Sequence, residues 1–296
     1  MKNFKAALFS ATALMAFGAT SHDAQAAYAY ASNQITSLTV TYQGGGLIAP
    51  SFATSTVNNS ATFHNTIVYP SMSDSNNANI GTTNNIIQAT SGNITATPPA
   101  ENTWTQAMVS PALYGARSDA WADNGSPILG GGIALSNVGE AQSQPFSNDS
   151  GSGQAGFSMT ISFQVVGNGR PLEISFDDLY QLAANSVLNQ TATASIANSF
   201  SINGSDVQWT ESPLAVNTTL ATANGNPPSV ANGPTLVNIH LTTPFLTPGV
   251  SYTVSMQSQA IAAISATNQD IPEPATLTLL GASMLGLGMV GRRRKR

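Results

Sequence analysis

The 296-residue sequence contains no cysteine. Disulfides, thiol catalysis, iron–sulfur clusters and cysteine zinc sites are therefore excluded, and an apolar core must hold the fold by itself. Charge is also scarce, at 8% of residues. No lysine occurs between Lys5 and Lys295; from Ala27 to Ile271 only Arg117 and Arg170 are basic against twelve acidic residues, a formal charge of −10. Such a surface repels phosphate backbones, so nucleic acid is not an expected partner. A neutral glycan, a divalent cation or a basic partner is compatible with it. Without an internal lysine no phosphate-cradling Gly-x-x-x-x-Gly-Lys loop can form, and there is neither a Gly-x-Ser-x-Gly elbow nor a dinucleotide-binding βαβ unit. His64 and His240 have no His or Asp/Glu companion at ligand spacing and read as solvated strand histidines, so neither a metal nor a cofactor is expected. Glycoside hydrolysis would need two carboxyls about 5–9.5 Å apart, for which Glu140, Glu173 and Glu211 are the candidates. No motif singles them out, and the chain reads as non-enzymatic.

What is present is concentrated first at the two ends. Lys2 and Lys5, the apolar run from Ala6 to Ala19 and the small-x-small triplet Ala24-Gln25-Ala26 compose a signal peptide over residues 1–26. Signal peptidase, recognising Ala24 and Ala26, and the export machinery are the partners this implies, with a mature chain beginning at Ala27. At the other end Pro272-Glu273-Pro274 is followed by an uncharged stretch, Ala275 to Gly291, and then by Arg292, Arg293, Arg294, Lys295 and Arg296. The two prolines fix φ near −65° and push Ile271 and Glu273 towards extended geometry, while Pro274 can open a helix. A helix over 275–291 would be roughly 25 Å long at about 1.5 Å per residue, the short end of what spans a bilayer. The basic cluster would stay on its cytoplasmic side and stop transfer.

Pro-Glu-Pro, one short apolar helix and a terminal basic cluster, in that order at the C-terminus, resembles the PEP-CTERM sorting signal. The resemblance covers only residues 272–296. It implies a Gram-negative exported protein, first an inner-membrane-anchored precursor and then a component of the cell surface or extracellular matrix. It also implies exosortase, a multi-pass membrane peptidase, as the partner that recognises and cuts the tail near Pro272-Glu273-Pro274. Carriers of the signal are associated with bacteria that make extracellular polysaccharide and biofilm.

Between the ends, period-2 alternation of apolar and polar residues dominates. It runs through Leu38–Tyr42, Thr62–Tyr69, Trp104–Val109, Ile133–Val138, Phe157–Val165, Leu172–Asp177, Thr191–Ile202, Val207–Thr210, Leu236–Leu241 and Val250–Gln257. Phe157–Val165 and Leu172–Asp177, joined by Gly167-Asn168-Gly169-Arg170-Pro171, read as a central hairpin. Asn203-Gly204-Ser205-Asp206 is a strong hairpin turn. After Asp177, either a short helix carrying Leu179, Leu182, Ala183 and Val187 on one face or a continued strand fits. Residues 71–100 read as a long polar loop with a short strand near Asn85–Ala89, 142–156 as a Ser/Gly/Asn loop, and 224–234 as a Pro/Asn/Gly loop. The expected architecture is all-β, a jelly-roll or immunoglobulin-like β-sandwich over 27–261, with a linker over 262–271 and the sorting signal over 272–296.

One internal segment combines Arg117, Asp119, Trp121, Asp123, Asn124 and Gly125. Asp119 and Asp123 flank an aromatic ring, an arrangement that suits a sugar, or an oxygen-ligated Ca²⁺ although the EF-hand pattern fails; the default reading is a plain surface turn at Asp123-Asn124-Gly125 with Trp121 tucked into the core. Besides a secreted glycan hydrolase, for which no motif speaks, two functions follow from the sequence. One is an exported structural surface or matrix protein, and the other is a carbohydrate-binding module for exopolysaccharide through Asp119, Trp121 and Asp123.

Overall fold

The computed structural model describes residues 26–65, 69–79, 87–89, 114–122, 132–143, 148–225 and 229–266. These residues form thirteen strands: β1 (Tyr28–Tyr42), β2 (Pro50–Asn65), β3 (Tyr69–Asn79), β4 (Ile87–Ala89), β5 (Gly115–Ala122), β6 (Ile133–Gln142), β7 (Ser150–Gln164), β8 (Leu172–Asn185), β9 (Gln190–Gly204), β10 (Gln208–Glu211), β11 (Thr218–Ala223), β12 (Ser229–Thr242) and β13 (Ser251–Ala266). A single 3₁₀ turn, Leu214–Val216, is the only helical element among them. The strands make two antiparallel sheets packed together. One has the order β12-β8-β1-β6-β5-β4 and the other β10-β9-β13-β7-β2-β3, with β11 also on β9. The expected all-β, two-sheet architecture is what forms.

Several local expectations change. Phe157–Val165 and Leu172–Asp177 are not a hairpin, because β7 pairs with β13 and β2 in one sheet while β8 pairs with β1 and β12 in the other. The connection between them, with Gly167 at φ +80°, is an arch between layers that lie about 10 Å apart. Alternation records that one face is buried, which is equally true of a hairpin and of an arch. The Asn203–Asp206 hairpin does form, with Asn203 opposite Gln208. Leu179, Leu182 and Ala183 belong to β8, so the helical option there is replaced by the strand option. Residues 71–79 are strand, as are 150–156 and 229–234, where loops were expected. Pro234 is tolerated in β12 because that strand is a sheet edge and its register shifts between Asn232 and Thr235. β13 continues to Ala266 with Ala262 and Ile264 buried, so residues 262–266 belong to the sandwich instead of the linker. The strand expected at Trp104–Val109 lies outside the described residues.

The core is graded along the strands. At one end Phe157, Phe163, Phe200, Tyr252, Leu38 and Ile161 pack between the sheets, each side chain contributing roughly 1.5–3 kcal/mol by burial. At the other end the filling is mostly alanine, including Ala27, Ala29, Ala61, Ala116, Ala141 and Ala262. Small side chains there let the backbones approach: a Cβ added at Gly153 would collide with the carbonyl oxygen of Arg117, and one at Gly139 with that of Gly153. This is why β7 opens with a glycine-rich segment, Ser150-Gly151-Ser152-Gly153, that reads as a loop in the sequence.

Candidate functional site

β5 alternates between two environments. Ala120 and Ala122 face the large-residue core and Ala116 the alanine cluster, which puts Arg117, Asp119 and Trp121 on the opposite, outer side of the six-stranded sheet. Register then builds a cluster across three strands. Arg117 lies opposite Glu140, and Glu140 opposite Tyr30. Arg117 Nε donates to Glu140 Oε2 at 2.7 Å, its Nη2 is 2.5 Å from the same oxygen, and Tyr28 Oη donates to Glu140 Oε1 at 2.6 Å. The pair is buried, Arg117 at 3% and Glu140 at 0% exposure. Burial pushes the Tyr30 phenol up, with Glu140 adding to the rise and the Ser32 hydrogen bond and Arg117 opposing it. Both Glu140 oxygens are engaged, so the group serves as an ion-pair anchor.

Glu140 and Glu173 lie far apart. Ala183 flanks Tyr30 in the Glu140 row, and Glu173 lies ten residues away along β8, about 33 Å at roughly 3.3 Å per residue. Glu211 ends β10 in the other sheet. Glycoside hydrolysis requires carboxyls within about 10 Å, so Glu140 and Glu173 do not pair for it.

Asp119 is 3% exposed and sits opposite Val138. Trp121, two residues on and opposite Ser136, is half-buried. The two share one side of β5, as their spacing requires, while Asp123 lies outside the described residues. Burial keeps Asp119 from meeting a ligand directly from solvent. His240 is exposed on the edge strand β12, and His64 is half-buried near the end of β2. Among the described residues no three His, Asp or Glu side chains come together at metal-binding distance.

The sequence reading missed a polar layer inside the sandwich. Asn33 Nδ2 donates to Asn198 Oδ1 and to Ser258 Oγ, both at 3.0 Å, and Asn137 Nδ2 donates to the same Ser258 Oγ at 3.0 Å. Asn198 Nδ2 in turn donates to Asp178 Oδ2 at 3.2 Å and to the Val216 carbonyl at 2.9 Å. Five strands from both sheets meet there, between the large-residue core and the smaller side chains beyond it. Burial raises the Asp178 carboxyl to about 7, with the Asn198 hydrogen bond opposing the rise. The signal was present in the alternation: each of these residues occupies an inward position between apolar ones, as Ser258 does between Met256 and Ala260.

At the N-terminal end Ala26 is 8% and Ala27 1% exposed. Ala27 N donates to Ser143 Oγ at 2.9 Å and Ser143 N to the Ala27 carbonyl at 2.9 Å. The first strand thus begins two residues beyond the small-x-small triplet. Ala24, Pro272, Glu273, Pro274, the 275–291 stretch and Arg292 to Arg296 lie outside the described residues. Among the described residues no helix is long and apolar enough to cross a membrane.

No curated protein and no solved structure matches the chain. Residues 270–295 match the family model of the PEP-CTERM protein-sorting motif. The chain therefore carries at its C-terminus the motif that implies an exported protein handled at the membrane by exosortase.

Proposed function

We propose that this chain is a non-enzymatic surface or extracellular-matrix protein of a Gram-negative bacterium, delivered by its two ends and contributing its β domain to a biofilm or exopolysaccharide layer. The observation that carries the reading is the sorting motif at residues 270–295, behind a β-sandwich in which Glu140 and Glu173 lie far apart. In this reading the signal peptide over 1–26 starts export, the 275–291 helix halts it with Arg292 to Arg296 inside, and exosortase cuts near Pro272-Glu273-Pro274. The protein is then the substrate of the sorting chemistry. Mass spectrometry of the protein recovered from the cell surface tests it: the expected product begins at Ala27 and ends upstream of the basic cluster. Surface protein that retains Arg296 overturns the processing step.

A further inference from the structure

None of the strands β2, β7, β13 and β9, which lie side by side in the seven-stranded sheet, contains an Asp, Glu, Lys or Arg. Their inward positions fill the core, and their outward positions are mainly hydroxyl and amide side chains. One row across the sheet is Ser201, Ser255, Thr160 and Thr54. Neighbouring hydroxyls hold one another in place, Thr56 Oγ1 with Ser158 Oγ at 2.7 Å and Ser162 Oγ with Thr253 Oγ1 at 3.2 Å. Successive strands repeat such groups about every 4.8 Å, and alternate residues along a strand about every 6.7 Å. Phe52, 55% exposed, lies opposite Ser162 and adds an aromatic ring at one side of this face.

Among the residues whose side chains are described, the accessible charge lies elsewhere. Glu173 and Asp177 are on the outer side of the six-stranded sheet, Asp206 and Glu211 on the β9–β10 hairpin, and Arg170 in the β7–β8 arch, where it donates to the Gly45 carbonyl at 3.1 Å. An uncharged sheet face on a domain of formal charge −10 selects its partner. An acidic polymer is repelled by the whole domain, and so is a second copy of it. A basic partner finds no carboxylate on this face. Serine and threonine hydroxyls each donate one hydrogen bond and accept two, so the matching surface is itself neutral and dense in groups that do both.

We infer that the outer face of β2, β7, β13 and β9 is the docking surface for an uncharged, hydroxyl-rich polysaccharide. The proposal rests on the reading of the chain as a surface or matrix protein and names the partner of its domain. Single hydroxyl contacts exchange for water with little gain, so affinity comes from many contacts along one extended polymer.

The test uses the exported protein as recovered from cells, with polysaccharide washed from the same cells and separated by anion exchange into neutral and acidic pools. Retention on the neutral pool and not on the acidic pool is expected, with little dependence on salt. Ser255→Glu and Thr160→Glu combined should reduce retention several-fold and Phe52→Ala should weaken it, whereas Thr39→Glu, on the outer side of the other sheet, should leave it unchanged; circular dichroism confirms that each variant is folded. Failure of the folded wild type to bind the neutral pool, equal binding to both pools, or retention unchanged by Ser255→Glu and Thr160→Glu would overturn the proposal. So would sedimentation as a dimer that Ser255→Glu dissociates, which would assign the face to a second copy. None of these outcomes depends on where the tail is cut, so failure here is distinguishable from failure of the sorting reading.

Discussion

Gly139 of β6 and Gly153 of β7 face each other across the two layers so closely that a Cβ on Gly139 would overlap the Gly153 carbonyl oxygen. The end of the sandwich filled with alanine depends on this approach. Gly153→Ala should destabilise the domain by about 1–3 kcal/mol, the usual cost of overpacking, read as a lower urea midpoint at unchanged m-value. Gly156→Ala is the control, because its new Cβ would meet chiefly the Asn58 side chain, which can rotate away, and its midpoint should move less.

Breaking the buried pair between Arg117 and Glu140 from one side strands the other charge. Glu140→Gln should cost about 3–5 kcal/mol, whereas the double change Arg117→Met with Glu140→Leu should recover much of that loss. Chemical denaturation of the two variants checks the order, and equal losses for the single and the double change would contradict it.

Asp178 makes stability depend on pH with a defined sign. Its carboxyl titrates at about 7 in the folded chain against an ordinary 3.8, so between those values the native state holds a proton that the unfolded state has released. The contribution is complete below about pH 3.8, declines as pH rises, and levels off above about 7. Asp178→Asn should remove this slope and raise the melting temperature at pH 8 more than at pH 4. A melting curve series from pH 4 to 8 reads both.

Ser258 accepts from Asn33 and Asn137 on the opposite sheet at 3.0 Å each. Ser258→Ala leaves both amide donors without that acceptor and should cost about 1–3 kcal/mol for each one that finds no substitute. Ser255→Ala, on the outward side of the same strand, should stay within about 0.5 kcal/mol of wild type. Hydrogen exchange should show the loss of protection in β13 and β1 for the first change only.

The strands were legible wherever alternation was clean, as in Phe157–Val165 and Val250–Gln257, and so was the Asn203–Asp206 turn. Glycine hid the start of β7, because the residue that lets two sheets touch is also the residue of loops. Asp119 and Trp121 were legible as neighbours on one side of a strand, but the burial of Asp119 was not, since a two-residue period carries no information about what covers a face.

By itself the sequence determined the sorting motif of this protein and the absence of charge from four of its strands, because a motif and a composition are properties of contiguous residues. Tertiary structure alone decided that β7 and β8 arch between sheets, that Arg117 finds Glu140, and that Asn33, Asn137, Asp178, Asn198 and Ser258 meet in one layer. It also decided that the four uncharged strands lie side by side and present a common face. Each of these depends on which distant strand becomes the neighbour, and local alternation is indifferent to that choice until the whole sandwich closes.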